Sequence, residues 1–187
     1  MTKPTHNRFP ITLPATWLAL ADCDFSPILK SWLTDKNSLT ARLKKNSASF
    51  HVELLGQSIE LCSKEEANSA ITAGEEVLVR EVVLYCDNEP HVFARSLIPL
   101  SSLTGEEEAL ANLGTQPLGQ VLFNNPSLSR ESIEFACFNE VSSVGKLCSS
   151  LDLTVAGDLW GRRSIFKLEN KPLVVAEVFL PSALAYL

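Results

Sequence analysis

A hydrophobic pattern of strand character, broken by few polar positions, runs between Glu75 and Leu100, in EEVLVREVVLYCDNEPHVFARSLIPL. The pattern predicts two strands joined by the turn residues Asp87, Asn88, Glu89 and Pro90. At a period of two, Leu78, Arg80, Val82, Leu84 and Cys86 share one face of the first strand. Val77, Val79, Glu81, Val83 and Tyr85 share the other. Each face is apolar with one charge set into it. A guanidinium flanked by Leu78 and Val82 cannot shed its charge, so burial demands an anionic partner. The stretch LVVAEVFLP near the C-terminus poses the mirror problem, because Glu177 shares a face with Leu173, Val175 and Phe179. Arg80 and Glu177 are therefore candidates for the polar groups of one apolar pocket that takes a small carboxylate. A mutual salt bridge, or strand ends at which the charges reach water, would also account for them. Arg95, between Phe93 and Leu97, is open to the same alternatives.

Elsewhere the pattern shortens. Ser26 can cap a helix that opens at Pro27 and turns Ile28, Leu29, Trp32 and Leu33 to one side. A second short helix follows from Ser38, with Leu39 and Leu43 inward. Phe50, Val52 and Leu54 alternate as a strand, with a turn expected at Gly56 and Gln57 before Ile59 and Leu61. Thr104 and Glu107 fit a capping box, and Gly114 would stop that helix. A shorter helix or turn is expected after Pro117. Strands are expected at SRESIEFACF and in a closing hairpin, Trp160–Leu168 and Leu173–Leu180, turned at Glu169–Pro172. The fold class read from this order is α+β: one antiparallel sheet of about six strands, with helix pairs lying on it. The whole of residues 1–187 is expected to form one domain, with residues 1–25 as an extended, proline-punctuated arm.

Of the 187 residues, 45% are hydrophobic and 20% charged, enough for a substantial core. A net charge of −6 without a basic stripe argues against nucleic-acid binding. No apolar run suits a membrane helix, and the N-terminus lacks a signal-peptide core, so a cytoplasmic protein is expected; with no long apolar stripe beyond the needs of one core, a monomer is expected. The five scattered cysteines read as free thiols.

Motifs for other chemistries are missing. There is no GxSxG elbow, no GxGxxG and no P-loop. His51 and Glu53 share a strand face, but two ligands are too few for a metal site. Arg162 and Arg163 must point to opposite faces of their strand. The run Glu106–Glu108 reads as a solvated helix start.

Taken together, LVREVVLYCDNEPHVFARSLIP, ALANLGTQPLGQVLF, LSRESIEFA and DLWGRRSIFKLENKPLVVAEVFLP resemble the chorismate pyruvate-lyase family, over about Pro27 to Pro181. The resemblance implies one antiparallel sheet whose helix pairs act as flaps over an enclosed site. It implies cleavage of chorismate to 4-hydroxybenzoate and pyruvate at the start of ubiquinone synthesis, with no metal or organic cofactor. It assigns Arg80 and Glu177 to the pocket, with both as catalytic candidates, and main-chain ligand contacts to Leu39 and Leu118. Many members carry Met at the position of Leu39. Residues 138–157 depart from the family pattern and are expected to form an extra flap or a surface hairpin. The alternative function is a non-catalytic sensor domain of the related transcription-regulator fold, binding an aromatic acid. Such regulators carry a helix-turn-helix domain ahead of the sensor, and only the arm precedes Pro27 here.

Overall fold

The computed structural model describes residues 8–187. Residues 1–7 of the expected arm, with His6, lie outside the described residues. In chain order the regular elements are α1 (Pro27–Leu33), α2 (Leu39–Lys45), β1 (Phe50–Leu61), β2 (Glu76–Cys86), β3 (Glu89–Pro99), α3 (Leu118–Phe123), β4 (Ser129–Phe138), α4 (Ser143–Ser150), β5 (Leu159–Leu168) and β6 (Lys171–Phe179). The six strands form one antiparallel sheet in the order β1-β2-β3-β6-β5-β4.

Two tight hairpins set this register. Asp87 and Asn88 turn β2 into β3, and Glu169 and Asn170 turn β5 into β6, all four with positive φ. Paired left-handed residues match the right-handed twist of the strands they join. Both turns are shorter than their four-residue expectations. The Ser26 and Ser38 hydroxyls accept from the Leu29 and Ala41 N–H groups and cap α1 and α2 as expected. Ile28, assigned to the apolar stripe of α1, is instead exposed.

Other expectations fail for identifiable reasons. β1 does not turn at Gly56. It runs on through a bulge between Leu54 and Gly56, and the Phe9 ring lies over the glycine. A Cβ at Gly56 would sit 2.1 Å from that ring, so the glycine serves close approach rather than a turn. Thr104 makes no side-chain cap, and Gly105–Asn112 winds as a 3-10 helix. Glu107 is buried and bonded to Lys171, while Glu106 and Glu108 are exposed, so the acidic run is only partly solvated.

Residues 138–157 contain α4. Its Val144, Leu147 and Cys148 pack against Leu13, Phe93 and Val178, on the sheet face opposite Arg80. The segment is therefore neither a flap over the Arg80 face nor a surface hairpin. The arm shares this back face. Its Ile11 and Thr12 N–H groups donate to the Glu81 carboxylate at 2.7 and 2.9 Å, and Leu18 bridges Phe135 at the free edge of β4. The five cysteines are free. No helix of the described residues is long and apolar enough to cross a membrane.

Candidate active site

Two apolar clusters cover the Arg80 face of the sheet. One seats Leu29, Trp32 and Leu33 of α1 and Leu39 and Leu43 of α2 on the strands around Val82, Leu84 and Phe179. The other seats Leu110, Leu118 and Leu122 on Leu78, Phe166 and Leu173. The covers meet where Lys44 Nζ donates to Gln120 Oε1 at 2.8 Å, joining α2 to α3. Between the clusters the sheet turns polar. Arg80, Ser96, Val175 and Ser164 form one cross-strand row, and Val82, Ala94, Glu177 and Arg162 form the next. Arg80 and Glu177 thus lie on one face, in adjacent rows, on strands separated by β3.

Arg80 is 2% exposed. Its Nη2 donates to the Gly114 and Gln116 carbonyls at 2.9 and 3.0 Å. Gly114, at φ +56, turns the chain so that these carbonyls reach the guanidinium. Nε is buried without a partner among the described residues, and no acid pairs with the group there. Burial lowers the pKa of this guanidinium from its ordinary value. A buried cation satisfied only by carbonyl dipoles retains its need for an anion.

The mutual Arg80–Glu177 salt bridge does not form. Glu177 Oε2 instead accepts from Arg162 Nε at 2.7 Å, its direct neighbour across the β5–β6 ladder. Arg162 Nη1 reaches the Asp35 carbonyl at 2.7 Å and the Leu33 and Trp32 carbonyls at 3.3 and 3.4 Å. One guanidinium thus satisfies the Trp32 and Leu33 carbonyls at the C-terminal end of α1 and the Asp35 carbonyl just beyond it, and holds the Glu177 carboxylate. No hydrogen bond to Glu177 Oε1 forms among the described residues. Ser164 Oγ, buried on the same face, also has no partner among them.

Leu39 and Leu118 are the first residues of α2 and α3, and both side chains are buried, one in each cover. Arg163 points to the face opposite Arg162, as expected, and on this back face it binds Glu134 at 2.7 Å and lies 4.7 Å from the Trp17 ring centroid. Arg95 also lies there, paired with Glu81 and Glu66 at 2.7 and 2.6 Å. It is therefore a structural cation outside the candidate pocket.

A family model described as chorismate lyase matches residues 12–186. The chain belongs to the chorismate lyase family. Among similar chains, a "probable chorismate pyruvate-lyase" of Psychromonas ingrahamii is 44% identical over 179 residues, covering 95% of this chain and 96% of that one. Another so named, from Pseudoalteromonas translucida, is 41% identical over 180 residues, covering 95% and 98%. Solved structures supply the fold likeness. PhnF from Mycobacterium smegmatis superposes with a TM-score of 0.57 at 14% identity, covering 79% of this chain and 65% of that one. The C-terminal domain of the histidine utilization repressor from Pseudomonas syringae gives 0.53 at 12%, covering 72% and 92%.

In this member of the chorismate lyase family, sequence reasoning misses Arg162, Ser164 and Arg130 as parts of the polar band. The signal for the first two is present. Arg162, Ser164 and Phe166 alternate on one face of β5, as Leu173, Val175 and Glu177 do on β6. Only the register that pairs Arg162 with Glu177 brings the two charges together. Arg130 stands in the polar run LSRES, which resembles a solvated strand start. Yet its guanidinium lies 4.8 Å from the Phe166 ring centroid.

Proposed function

We propose that this protein converts chorismate to 4-hydroxybenzoate and pyruvate, in one enclosed site and without a metal or organic cofactor. The observation that carries the proposal is the Arg80 guanidinium. It is buried, lacks a carboxylate partner among the described residues, and faces a band that also holds the unpartnered Ser164 hydroxyl. Membership of the chorismate lyase family and the names of its relatives support this reading of the reaction.

Chorismate loses enolpyruvate from one ring carbon and a proton from the neighbouring carbon that bears the hydroxyl. The ether C–O bond breaks, the ring becomes aromatic, and the enolpyruvate takes up a proton to become pyruvate. Aromatisation supplies the driving force. The protein then has to hold the dianion in a reactive pose and keep water out. Arg80 binds the ring carboxylate, its free Nε edge offering a directed N–H. Glu177, fixed by Arg162, hydrogen-bonds the ring hydroxyl through Oε1 or moves the proton there. The starts of α2 and α3, at Leu39 and Leu118, contribute main-chain contacts from the two covers. Covers joined through Lys44 and Gln120 must part before the aromatic acid leaves, which makes release slow and the product inhibitory. We assign the protein to the first step of ubiquinone synthesis, as a cytoplasmic monomer of one domain.

The test is direct. Purified protein is incubated with chorismate in chelator-treated buffer, and 4-hydroxybenzoate and pyruvate are quantified. Equal amounts of the two are expected. Absence of the aromatic acid would overturn the proposal.

A further inference from the structure

A third cation stands beside Arg162 and Glu177. Arg130 lies opposite Phe166 in the β4–β5 ladder, on the same sheet face as Arg162 and Ser164. Its Nη1 donates to the Asp35 carbonyl at 3.2 Å, the same oxygen that Arg162 Nη1 reaches at 2.7 Å. Two guanidinium groups therefore converge on one carbonyl. Phe123 and Phe166 pack against Arg130, with ring centroids 5.7 and 4.8 Å away. Its Nε is buried without a partner among the described residues. Burial, and then the Arg162 charge, lower its pKa from the ordinary value.

The arginine also lines a cavity of about 340 Å³ at the free edge of β4, beside Leu20, Thr34, Lys36, Phe135 and Glu131, whose carboxylate pairs with Lys167 at 3.6 Å. Arg80, Arg162 and the half-buried Arg130 stand in this region with the Glu177 carboxylate and with Asp35, whose own carboxylate is paired with Arg42, leaving a cationic excess. Such an excess is costly unless an anion neutralises it. A monocarboxylate on Arg80 accounts for one of the surplus charges and leaves the one at Arg130.

Resting on the reaction proposed above, we propose that Arg130 binds the second carboxylate of chorismate, the one that departs with pyruvate. It is then a specificity residue for the dianionic substrate and makes no contact with the aromatic product. The two carboxylates are divided between two sides of the sheet face: Arg80 on β2 holds the ring, and Arg130 on β4 holds the enolpyruvyl arm. After the ether bond breaks, pyruvate lies beside the cavity at the β4 edge, with Lys36 on its wall. The aromatic acid remains on Arg80 beneath the covers.

The test separates substrate from product. In R130Q, KM for chorismate is expected to rise about tenfold or more. The Kd for 4-hydroxybenzoate, by calorimetry, is expected to stay within about twofold, because the product lacks the second carboxylate. R130K, which keeps the charge without the planar fork, is expected to recover part of the KM and supplies the same comparison if R130Q does not fold. An unchanged KM, or a product Kd that moves in step with KM as a purely structural role would require, overturns the assignment of Arg130. Failure of the unmodified protein to make 4-hydroxybenzoate overturns the proposed reaction, and this assignment with it.

Discussion

Glu177 is held by Arg162 rather than by Arg80: the Arg162 Nε donates to Glu177 Oε2 at 2.7 Å directly across β5 and β6. The acid of the candidate site is therefore fixed in place, and the buried cation two strands away retains its need for an anion. A salt bridge between Arg80 and Glu177 would have neutralised both groups. Under the proposed function, their separation divides anion binding from proton handling.

Glu177→Gln is expected to keep the fold, because the amide oxygen still accepts from Arg162 Nε and Arg162 keeps its three carbonyl partners. Turnover is expected to fall by about 10²-fold or more, the usual range for losing a positioned acid or base. Steady-state kinetics with chorismate, alongside near-ultraviolet circular dichroism, checks this. An unaltered kcat in a folded variant removes Glu177 from the chemistry.

Arg80→Ala is expected to weaken 4-hydroxybenzoate binding by about 3 kcal/mol, the scale of removing a charge-assisted hydrogen bond from an apolar site. The segment around Gly114 and Gln116 also loses its anchor, so a smaller loss of stability accompanies it. Titration calorimetry on the folded variant decides the point, and unchanged affinity excludes Arg80 from ligand binding.

The alternation along β2 suffices to put Arg80 and Glu81 on opposite faces, because every second side chain of a strand shares a side. The same rule separates Arg162 from Arg163. What alternation cannot supply is register. Gly56 has the composition of a turn, yet β1 continues because the Phe9 ring occupies the space a side chain would need. Glu107 has the spacing of a capping residue, but Lys171, brought near by the β5–β6 hairpin, is the stronger partner. The partners of Glu177 and Arg95 are likewise set by strands and loops that the sequence alone does not align. The α4 segment is ambiguous for a related reason: Val144, Leu147 and Cys148 become an apolar side only once the back of the sheet exists to receive them.

The back face gives a contrasting prediction. Glu81 is fully buried, accepts from Arg95 and holds the arm through the Ile11 and Thr12 N–H groups. Glu81→Ala leaves Arg95 with Glu66 and more distant Glu60, and releases the arm. A loss of about 3–5 kcal/mol is expected, as when one partner of a buried pair is removed. Urea unfolding measures it. At temperatures where the variant stays folded, KM is expected to change little, because the network lies across the sheet from Arg80.

Stability is expected to depend on pH through His91. This residue is 7% exposed at the bulge in the β2–β3 ladder, between Pro90 and Val92, which pair with Tyr85 and Leu84, and its Nδ1 has no partner among the described residues. Burial lowers its pKa from 6.5, outweighing the opposing pull of Asp87 and Glu89. A protonated ring would bring a charge and an N–H without an acceptor into the core. The unfolded chain binds the proton near its ordinary value, while the folded chain resists until the pH is lower. Between those two values the unfolded state carries more protons, so stability falls as the pH falls. The contribution is fully present above the unfolded value and is lost progressively below it. The slope from this one group cannot exceed about 1.4 kcal/mol per pH unit, the limit for a single proton. Urea unfolding of the unmodified protein and of His91→Gln, compared from about pH 7.5 to pH 5, isolates it. The unmodified protein is expected to lose stability more steeply below about pH 6.5 than the variant does. Parallel curves would mean that His91 takes up its proton equally in the folded and unfolded chains.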